Sequence, residues 1–126
     1  MAIKLPNILV IEDSTSIRLF VQQVLAGGGF NVDCVKDGLM GIEQSKKISY
    51  DLIIVDYHMP GMNGDRVTKT IRARPDGKTV PILIMTTESD PSVKANFKSI
   101  GASGWLEKPL DATRILTAVS RSLKRG

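Results

Sequence analysis

The chain has 126 residues, of which 42% are hydrophobic and 24% charged, and its 17 basic and 13 acidic residues give a net charge of +4. This size and composition predict one domain, spanning residues 1–126, and the basic excess is too mild to indicate nucleic-acid binding. The sequence has no apolar run near the roughly 20 residues that cross a bilayer, no signal-peptide pattern in residues 1–6 and a single cysteine. These features exclude a membrane-spanning helix and an internal disulfide, and they predict a cytoplasmic protein.

Five short segments have the character of β-strands. Residues 8–11, 52–55 and 82–85 are continuous apolar runs. Such runs are typical of strands that are covered on both faces, as in a parallel sheet. Residues 32–35 and 104–106 are two shorter candidates.

Helical patterns lie between and after these strands. In the first pattern, apolar residues recur at helical spacing and a run of three glycines, 27–29, ends the helix. Residues 38–47 form a weaker pattern, and residues 65–74 a short helix ended by Pro75. Asp90 is expected to cap a helix that runs to residue 100, and Asp111 to cap the last helix. The expected inner stripes are Ile17, Phe20, Val21, Val24 and Leu25 on the first helix, and Ile115, Leu116, Val119 and Leu123 on the last.

Strand and helix thus alternate five times along the chain. Right-handed crossovers fold such a chain into a doubly wound α/β domain, a five-stranded parallel sheet with helices on both faces. In this architecture ligands bind at the carboxyl ends of the strands, near the point where the strand order reverses.

Residues with useful chemistry follow four of the strands. Glu12 and Asp13 follow the first strand, Asp56 the third, Thr86 the fourth, and Lys108 comes just after the fifth. Because the carboxyl ends meet at one edge of the sheet, we expect these side chains to lie together. Three close carboxylates repel one another unless a cation lies among them, and their hard oxygen atoms suit Mg²⁺. The sequence therefore predicts an Mg²⁺ site with an aspartate nucleophile, beside a hydroxyl and an ammonium that hold phosphoryl oxygens.

With these residues the chain resembles, over its whole length, the receiver domains of two-component response regulators. Each motif alone is weak, but together, in this order and at these strand ends, they are highly specific. The resemblance implies a flavodoxin-like sheet with strand order 2-1-3-4-5, and the single-domain chemotaxis-type regulators are the most similar members. The matching features are Glu12-Asp13, Asp56, the loop 59–64, Thr86-Thr87-Glu88 and Lys108-Pro109.

The resemblance also implies a role for each residue of the acidic site. Asp56 would be the phosphoacceptor, which a histidine kinase phosphorylates with Mg²⁺ as the cofactor. The side chains of Asp13 and Asp56 and the backbone carbonyl of His58 would bind the metal, and Glu12 would act through a metal-bound water. Such a protein would have no enzymatic activity other than Mg²⁺-dependent self-phosphorylation and self-dephosphorylation.

Signal output is implied by the same resemblance. Lys108 would pair with the phosphoryl group, Thr86 would turn inward to bond it, and Trp105 occupies the position of the family's switch aromatic. A downstream target protein would then bind the face formed by the fourth helix, the fifth strand and the last helix. The expected partners are this target and the kinase, without nucleic acid or membrane insertion, and the expected state is a monomer. The peptide bond of Lys108-Pro109 is often cis in the family, and the sequence alone leaves the isomer open.

Several residues carry two interpretations. Trp105 is larger than the family's usual Tyr or Phe, so it is either a switch or a half-buried packing residue. His58 is typical of a surface loop, yet His58, Thr87 and Glu88 flank the expected phosphoryl group and are candidates for tuning its lifetime. Cys34 is interpreted as a small buried hydrophobe. The C-terminal cations Arg114, Arg121, Lys124 and Arg125 suit either a solvated helix end or an acidic partner surface.

Other functions remain as alternatives at this stage. A regulator of this kind could be a phosphate sink that drains a kinase, which the sequence does not separate from a switch. A haloacid-dehalogenase-like phosphatase would need a second aspartate two residues after the nucleophile, where this chain has His58. A flavodoxin-like flavin carrier would need a phosphate-binding loop after the first strand, but Glu12 and Asp13 would repel a flavin phosphate.

Overall fold

The computed structural model describes residues 4–124 of the chain, so Arg125 lies outside the described residues. Five parallel strands form one sheet in the order β2-β1-β3-β4-β5. The prediction of a doubly wound five-stranded parallel sheet is confirmed. The strand bounds are β1 Asn7–Ile11, β2 Asn31–Val35, β3 Leu52–Asp56, β4 Ile82–Thr86 and β5 Gly104–Glu107.

Five α-helices cover the two faces of the sheet, and a short 3-10 turn at Pro75–Gly77 follows the third of them. The N-caps expected at Asp90 and Asp111 are present: each carboxylate accepts a hydrogen bond from the backbone amide two residues later, at 2.8 Å. The helix bounds are α1 Thr15–Gly27, α2 Gly38–Lys47, α3 Gly64–Arg72, α4 Pro91–Ser99 and α5 Ala112–Lys124. No helix within the described residues is long and apolar enough to cross a membrane.

The apolar runs fill both sides of the sheet. Strands β3 and β4 are buried along their whole length, because neighbouring strands and helices cover them on every side. One core layer lies under α2, α3 and α4 and includes Phe97, and the other lies under α1 and α5 and includes Val119. The sheet is therefore a fixed platform for the residues at its carboxyl edge.

Two details of the helices differ from the sequence prediction. Phe20 was expected on the inner stripe of α1, but it is 39% exposed, because the stripe that reaches the sheet is narrower and centres on Val21 and Leu25. Helix α3 was expected to reach Arg74 but ends at Arg72, because a residue before proline is driven out of helical geometry. Arg74 accordingly has extended backbone angles and begins the 3-10 turn.

Candidate functional site

Three carboxylates meet at the carboxyl edge of the sheet. Glu12 and Asp13 directly follow β1, and Asp56 is the last residue of the adjacent β3. One oxygen of each carboxylate lies within 4.8 Å of the others. Glu12 and Asp56 are buried, at 0% and 2% exposure, whereas Asp13 is exposed. The cluster is thus open to solvent on the side of Asp13.

Lys108 brings a positive charge to this cluster. Its Nζ donates a hydrogen bond to Asp56 Oδ1 at 2.9 Å and lies 3.8 Å from Glu12 Oε1. The Lys108 amide donates to the carbonyl of Thr86 at 2.8 Å, which ties this loop to the end of β4. The peptide bond between Lys108 and Pro109 is cis. One ammonium therefore faces three carboxylates.

Glu12 is incompletely satisfied in this arrangement. The Ser14 amide donates to its Oε2 at 3.2 Å, but its Oε1 accepts no hydrogen bond from any described residue. Burial and the neighbouring Asp56 hold the pKa of Glu12 well above its usual range. The raised pKa of Glu12 and the buried Oε1 without a hydrogen-bond donor both indicate a shortage of positive charge at the site, which a hard cation would supply. The donor set of carboxylate oxygens with an open side fits Mg²⁺, with Glu12, Asp13 and Asp56 as the residues that would hold it.

Thr86 ends β4 beside this cluster. It is fully buried, and its Oγ1 accepts a hydrogen bond from the Glu88 amide at 2.9 Å. A rotation of Thr86 towards the acidic cluster would have to give up that bond. In this structure the hydroxyl oxygen is thus bound to the loop that follows β4, and the inward rotation of Thr86 stays a prediction.

Trp105 lies on β5 and is half-buried. Its ring packs against the buried Phe97 of α4, with 6.5 Å between the ring centroids. The ammonium of Lys94 lies 5.7 Å from the centroid of the indole and also forms an ion pair with Glu107. Trp105 consequently lies between the core and the ammonium of Lys94. This position is compatible with both a switch residue and a half-buried packing residue.

His58, Thr87 and Glu88 border the mouth of the site. The imidazole of His58 is 54% exposed, and its Nε2 lies 3.9 Å from Glu88 Oε1 across the mouth. Thr87 is exposed on the loop after β4. His58 follows Asp56 by two residues, in the loop after β3, and its role as a carbonyl ligand stays a prediction.

The loop from β3 to α3 turns back tightly over Asp56. The Gly64 amide donates to the carbonyl of Tyr57 at 2.9 Å, and a Cβ at residue 64 would lie only 2.5 Å from the Asp56 carbonyl oxygen. Gly61 has a φ of 82°, in the left-handed region that favours glycine. These two glycines set the turn that brings the loop close to the phosphoacceptor candidate.

Two features of this region were not predicted. Arg18, in the first turn of α1, donates to the carbonyl of Glu12 at 2.8 Å and so braces the end of β1. The bridge from Lys94 to Glu107 and Trp105 joins residues of two different elements. Neither has a signal in the sequence, because each depends on side chains that only the folded chain brings together.

The family model of the response regulator receiver domain matches residues 8–120 of this chain. Among individual relatives, the response regulator ArlR of Staphylococcus saprophyticus is 32% identical over 119 residues, which are 94% of this chain and 53% of that protein. The transcriptional activator IrlR of Burkholderia pseudomallei is 31% identical over 95% of this chain and 51% of its own length. The chain therefore spans about half the length of these curated relatives.

Solved structures agree closely with this fold. The chemotaxis response regulator CheY4 of Vibrio cholerae is 35% identical, with a TM-score of 0.91 over 94% of this chain and 99% of that one. A response regulator from Chloroflexus aurantiacus has a TM-score of 0.92 at 30% identity, over 97% and 100% of the two chains. The receiver domain of the sensor histidine kinase PA1611 of Pseudomonas aeruginosa was solved with a magnesium ion in its active-site cleft. It has a TM-score of 0.88 at 26% identity, over 96% of this chain and 99% of that one.

Proposed function

Because the chain belongs to the response regulator receiver domain family, we propose that it is a signalling switch that accepts a phosphoryl group on Asp56. The observation that carries this proposal is the arrangement around that residue. Asp56 ends a buried central strand, shares its surroundings with the carboxylates of Glu12 and Asp13, and lies 2.9 Å from the ammonium of Lys108.

In the proposed reaction, a carboxylate oxygen of Asp56 attacks the phosphorus of a phosphohistidine on the partner kinase. An O–P bond forms, the N–P bond breaks, and the departing imidazole takes up a proton. Lys108 moves from the carboxylate to the new phosphoryl oxygens and offsets part of their charge. Hydrolysis by water later returns the free carboxylate. We propose no enzymatic activity beyond this self-phosphorylation and self-dephosphorylation.

We propose Mg²⁺ as the cofactor, bound by the side chains of Asp13 and Asp56, the carbonyl of His58 and, through a water, Glu12. Bound Mg²⁺ would neutralise the charge that develops on the transferred group. Support comes from the proximity of the three carboxylates and from Oε1 of Glu12, which accepts no hydrogen bond from the described residues. The related PA1611 domain was solved with magnesium in its active-site cleft.

For the output, we propose that the phosphoryl group draws Thr86 inward and that Trp105 follows it. The face formed by α4, β5 and α5 would then bind a downstream protein. The similarity to CheY4 supports a place in chemotaxis or a related two-component pathway. Function as a cytoplasmic monomer belongs to the same proposal.

A direct experiment tests the phosphoacceptor. The protein is incubated with Mg²⁺ and acetyl phosphate, and intact mass and acid lability report an aspartyl phosphate. We expect labelling of the wild type, none of Asp56→Asn, and slower labelling of Asp13→Ala. Chelation of the metal should also stop labelling. Undiminished labelling of Asp56→Asn would contradict the assignment.

A further inference from the structure

Arg18 lies in the first turn of α1 and is half-buried. One of its terminal nitrogens, Nη1, donates to the carbonyl of Glu12 at 2.8 Å and to the carbonyl of Asp13 at 3.4 Å. The other, Nη2, donates to the hydroxyl of Thr15 at 3.4 Å. The side chain thus turns back from the helix and binds the segment that joins β1 to α1.

This segment is short and carries two of the three carboxylates of the acidic cluster. Its other contacts hold its two ends: the Glu12 amide donates to the carbonyl of Val35 on β2 at 3.1 Å, and the hydroxyl of Ser14 caps α1 by accepting from the Ile17 amide. Asp13 lies between these anchors, and because it is exposed, packing does not fix its side chain. The direction of its carboxylate therefore depends on its backbone.

Arg18 holds that backbone on both sides of Asp13. The carbonyls of Glu12 and Asp13 belong to the two planar peptide groups that flank the Cα of Asp13, so a donor bound to both restricts the direction of the side chain between them. A guanidinium suits this task because its donors form a rigid fork, whereas the ammonium of a lysine is a single flexible point.

Arg18 and Lys108 differ in how they act on the acidic site. Lys108 forms ion pairs with the carboxylates of Glu12 and Asp56. The hydrogen bonds of Arg18 go to two carbonyls and a hydroxyl, which are neutral groups, so they leave the carboxylate oxygens free for a cation. The charge of Arg18 repels such a cation, while its hydrogen bonds place the ligands that the cation needs. Removal of this side chain therefore has two effects of opposite sign on metal affinity.

We propose that Arg18 is a positioning residue of the Mg²⁺ site, which holds the Asp13 carboxylate in the direction that the metal requires. This inference rests on the proposed function. Groups that orient metal ligands typically contribute roughly 10- to 100-fold in affinity, whereas one charge near a solvent-exposed site contributes about fivefold or less. Loss of the hydrogen bonds of Arg18 thus outweighs loss of its charge, and the metal site extends to the first turn of α1.

Calorimetric titration of Mg²⁺ into the metal-free protein tests this role. The variants are Arg18→Met, which removes the donors and the charge, and Arg18→Lys, which keeps the charge. The matched control is Arg121→Met, which removes an exposed arginine from the last turn of α5. We expect Arg18→Met to bind Mg²⁺ about tenfold more weakly than the wild type, Arg18→Lys to recover only part of the loss, and the control to bind it unchanged.

A second readout needs no metal. Without Mg²⁺, the backbone amides of Asp13 and Ser14 should exchange with deuterium faster in Arg18→Met than in the wild type, because the segment has lost a contact that restricts its opening. Urea unfolding in parallel shows whether each variant is folded. Unchanged or tighter Mg²⁺ binding by a folded Arg18→Met would overturn the inference. Should that variant fail to fold, wild-type affinity in Arg18→Lys would overturn it equally.

Labelling with acetyl phosphate separates this inference from the proposed function. A wild-type protein that binds Mg²⁺ but takes no phosphoryl group on Asp56 would contradict the proposed function alone, since the titration decides the role of Arg18. A protein that is labelled on Asp56 and has the same Mg²⁺ affinity in Arg18→Met would retain its proposed function and refute the positioning role alone.

Discussion

The ammonium of Lys108 lies 2.9 Å from Oδ1 of Asp56, although the two residues are 52 positions apart in the chain. The sheet makes this approach possible, because β3 and β5 flank β4 and all three strands end at the same edge. Before any metal or phosphoryl group arrives, Lys108 is thus the counter-charge for a buried carboxylate.

This relationship predicts opposite effects on metal binding and on phosphorylation when Lys108 is removed. Lys108→Met should raise Mg²⁺ affinity about two- to tenfold, because a like charge leaves the site, and should slow labelling by acetyl phosphate. Calorimetric titration and intact mass measure the two effects. Lys94→Met, which removes a lysine outside the carboxylate cluster, is the control and should leave Mg²⁺ affinity unchanged.

The lifetime of the phosphoryl group should depend on the residues at the mouth of the site. We expect the side chains of His58 and Thr87 to restrict the approach of the attacking water, so His58→Asn and Thr87→Ala should each lose the phosphoryl group several-fold faster than the wild type. Decay of phosphorylated protein after removal of the phosphodonor measures this rate. Identical decay in all three proteins would exclude these side chains from control of the lifetime.

Trp105 should report its own movement, since it is the only tryptophan of the chain. Burying about 50 Å² more of the indole is worth on the order of 1 kcal/mol, which shifts a two-state equilibrium about fivefold. Iodide should therefore quench its fluorescence less after activation by beryllofluoride. Asp56→Asn should not respond. An unchanged emission and quencher access in the wild type would mean that Trp105 is only a packing residue.

Gly64 should be intolerant of a side chain. A Cβ at this position would lie 2.5 Å from the Asp56 carbonyl oxygen, so Gly64→Ala has to displace backbone and should cost about 1–3 kcal/mol of unfolding free energy. Gly27, where a Cβ would meet nothing within 4 Å, is the matched control. Gly27→Ala should be neutral or stabilising by up to about 1 kcal/mol. Urea unfolding of both variants checks the contrast.

The free energy of unfolding should decrease at high pH because Tyr50 ionises more readily in the unfolded chain. Burial, together with a 2.6 Å hydrogen bond to Asp33, raises the pKa of Tyr50 to about 12. The unfolded tyrosine ionises near pH 10, so ionisation favours the unfolded state between pH 10 and pH 12. The stability that Tyr50 contributes is complete below pH 10 and decreases by about 2 kcal/mol towards pH 12. The difference in urea stability between the wild type and Tyr50→Phe should shrink over this range, and a constant difference would contradict the prediction.

The sheet and its acidic edge could be predicted because they depend on local patterns. Continuous apolar runs identify strands that are buried on both faces, and the carboxyl ends of parallel strands must share an edge. Asp56 and Glu12 follow such runs directly, so their proximity follows from the strand assignment. Helix α2 begins and ends at the predicted residues, and Asp37 caps its start, where its carboxylate accepts a hydrogen bond from the Met40 amide.

What could not be predicted depends on distances between side chains. Periodicity gives the direction of a helix's inner face but not its width, which is why Phe20 was wrongly expected in the core. Helix α3 ends two residues early because of Pro75, whose effect on the preceding residue outweighs helical propensity. The contact of Lys94 with Glu107 and Trp105 requires α4 to lie beside β5 at one particular angle, which no local pattern encodes.

The complete burial of β3 has a consequence for amide hydrogen exchange. All five of its residues lie in the centre of the sheet, so their amides should exchange with deuterium only when the whole domain unfolds. Amides at His58 and Thr87, in loops outside the strands, should exchange through small local openings. Asp56 should then keep its position when it is phosphorylated, and the proposed switch would act through the loops and helices around it.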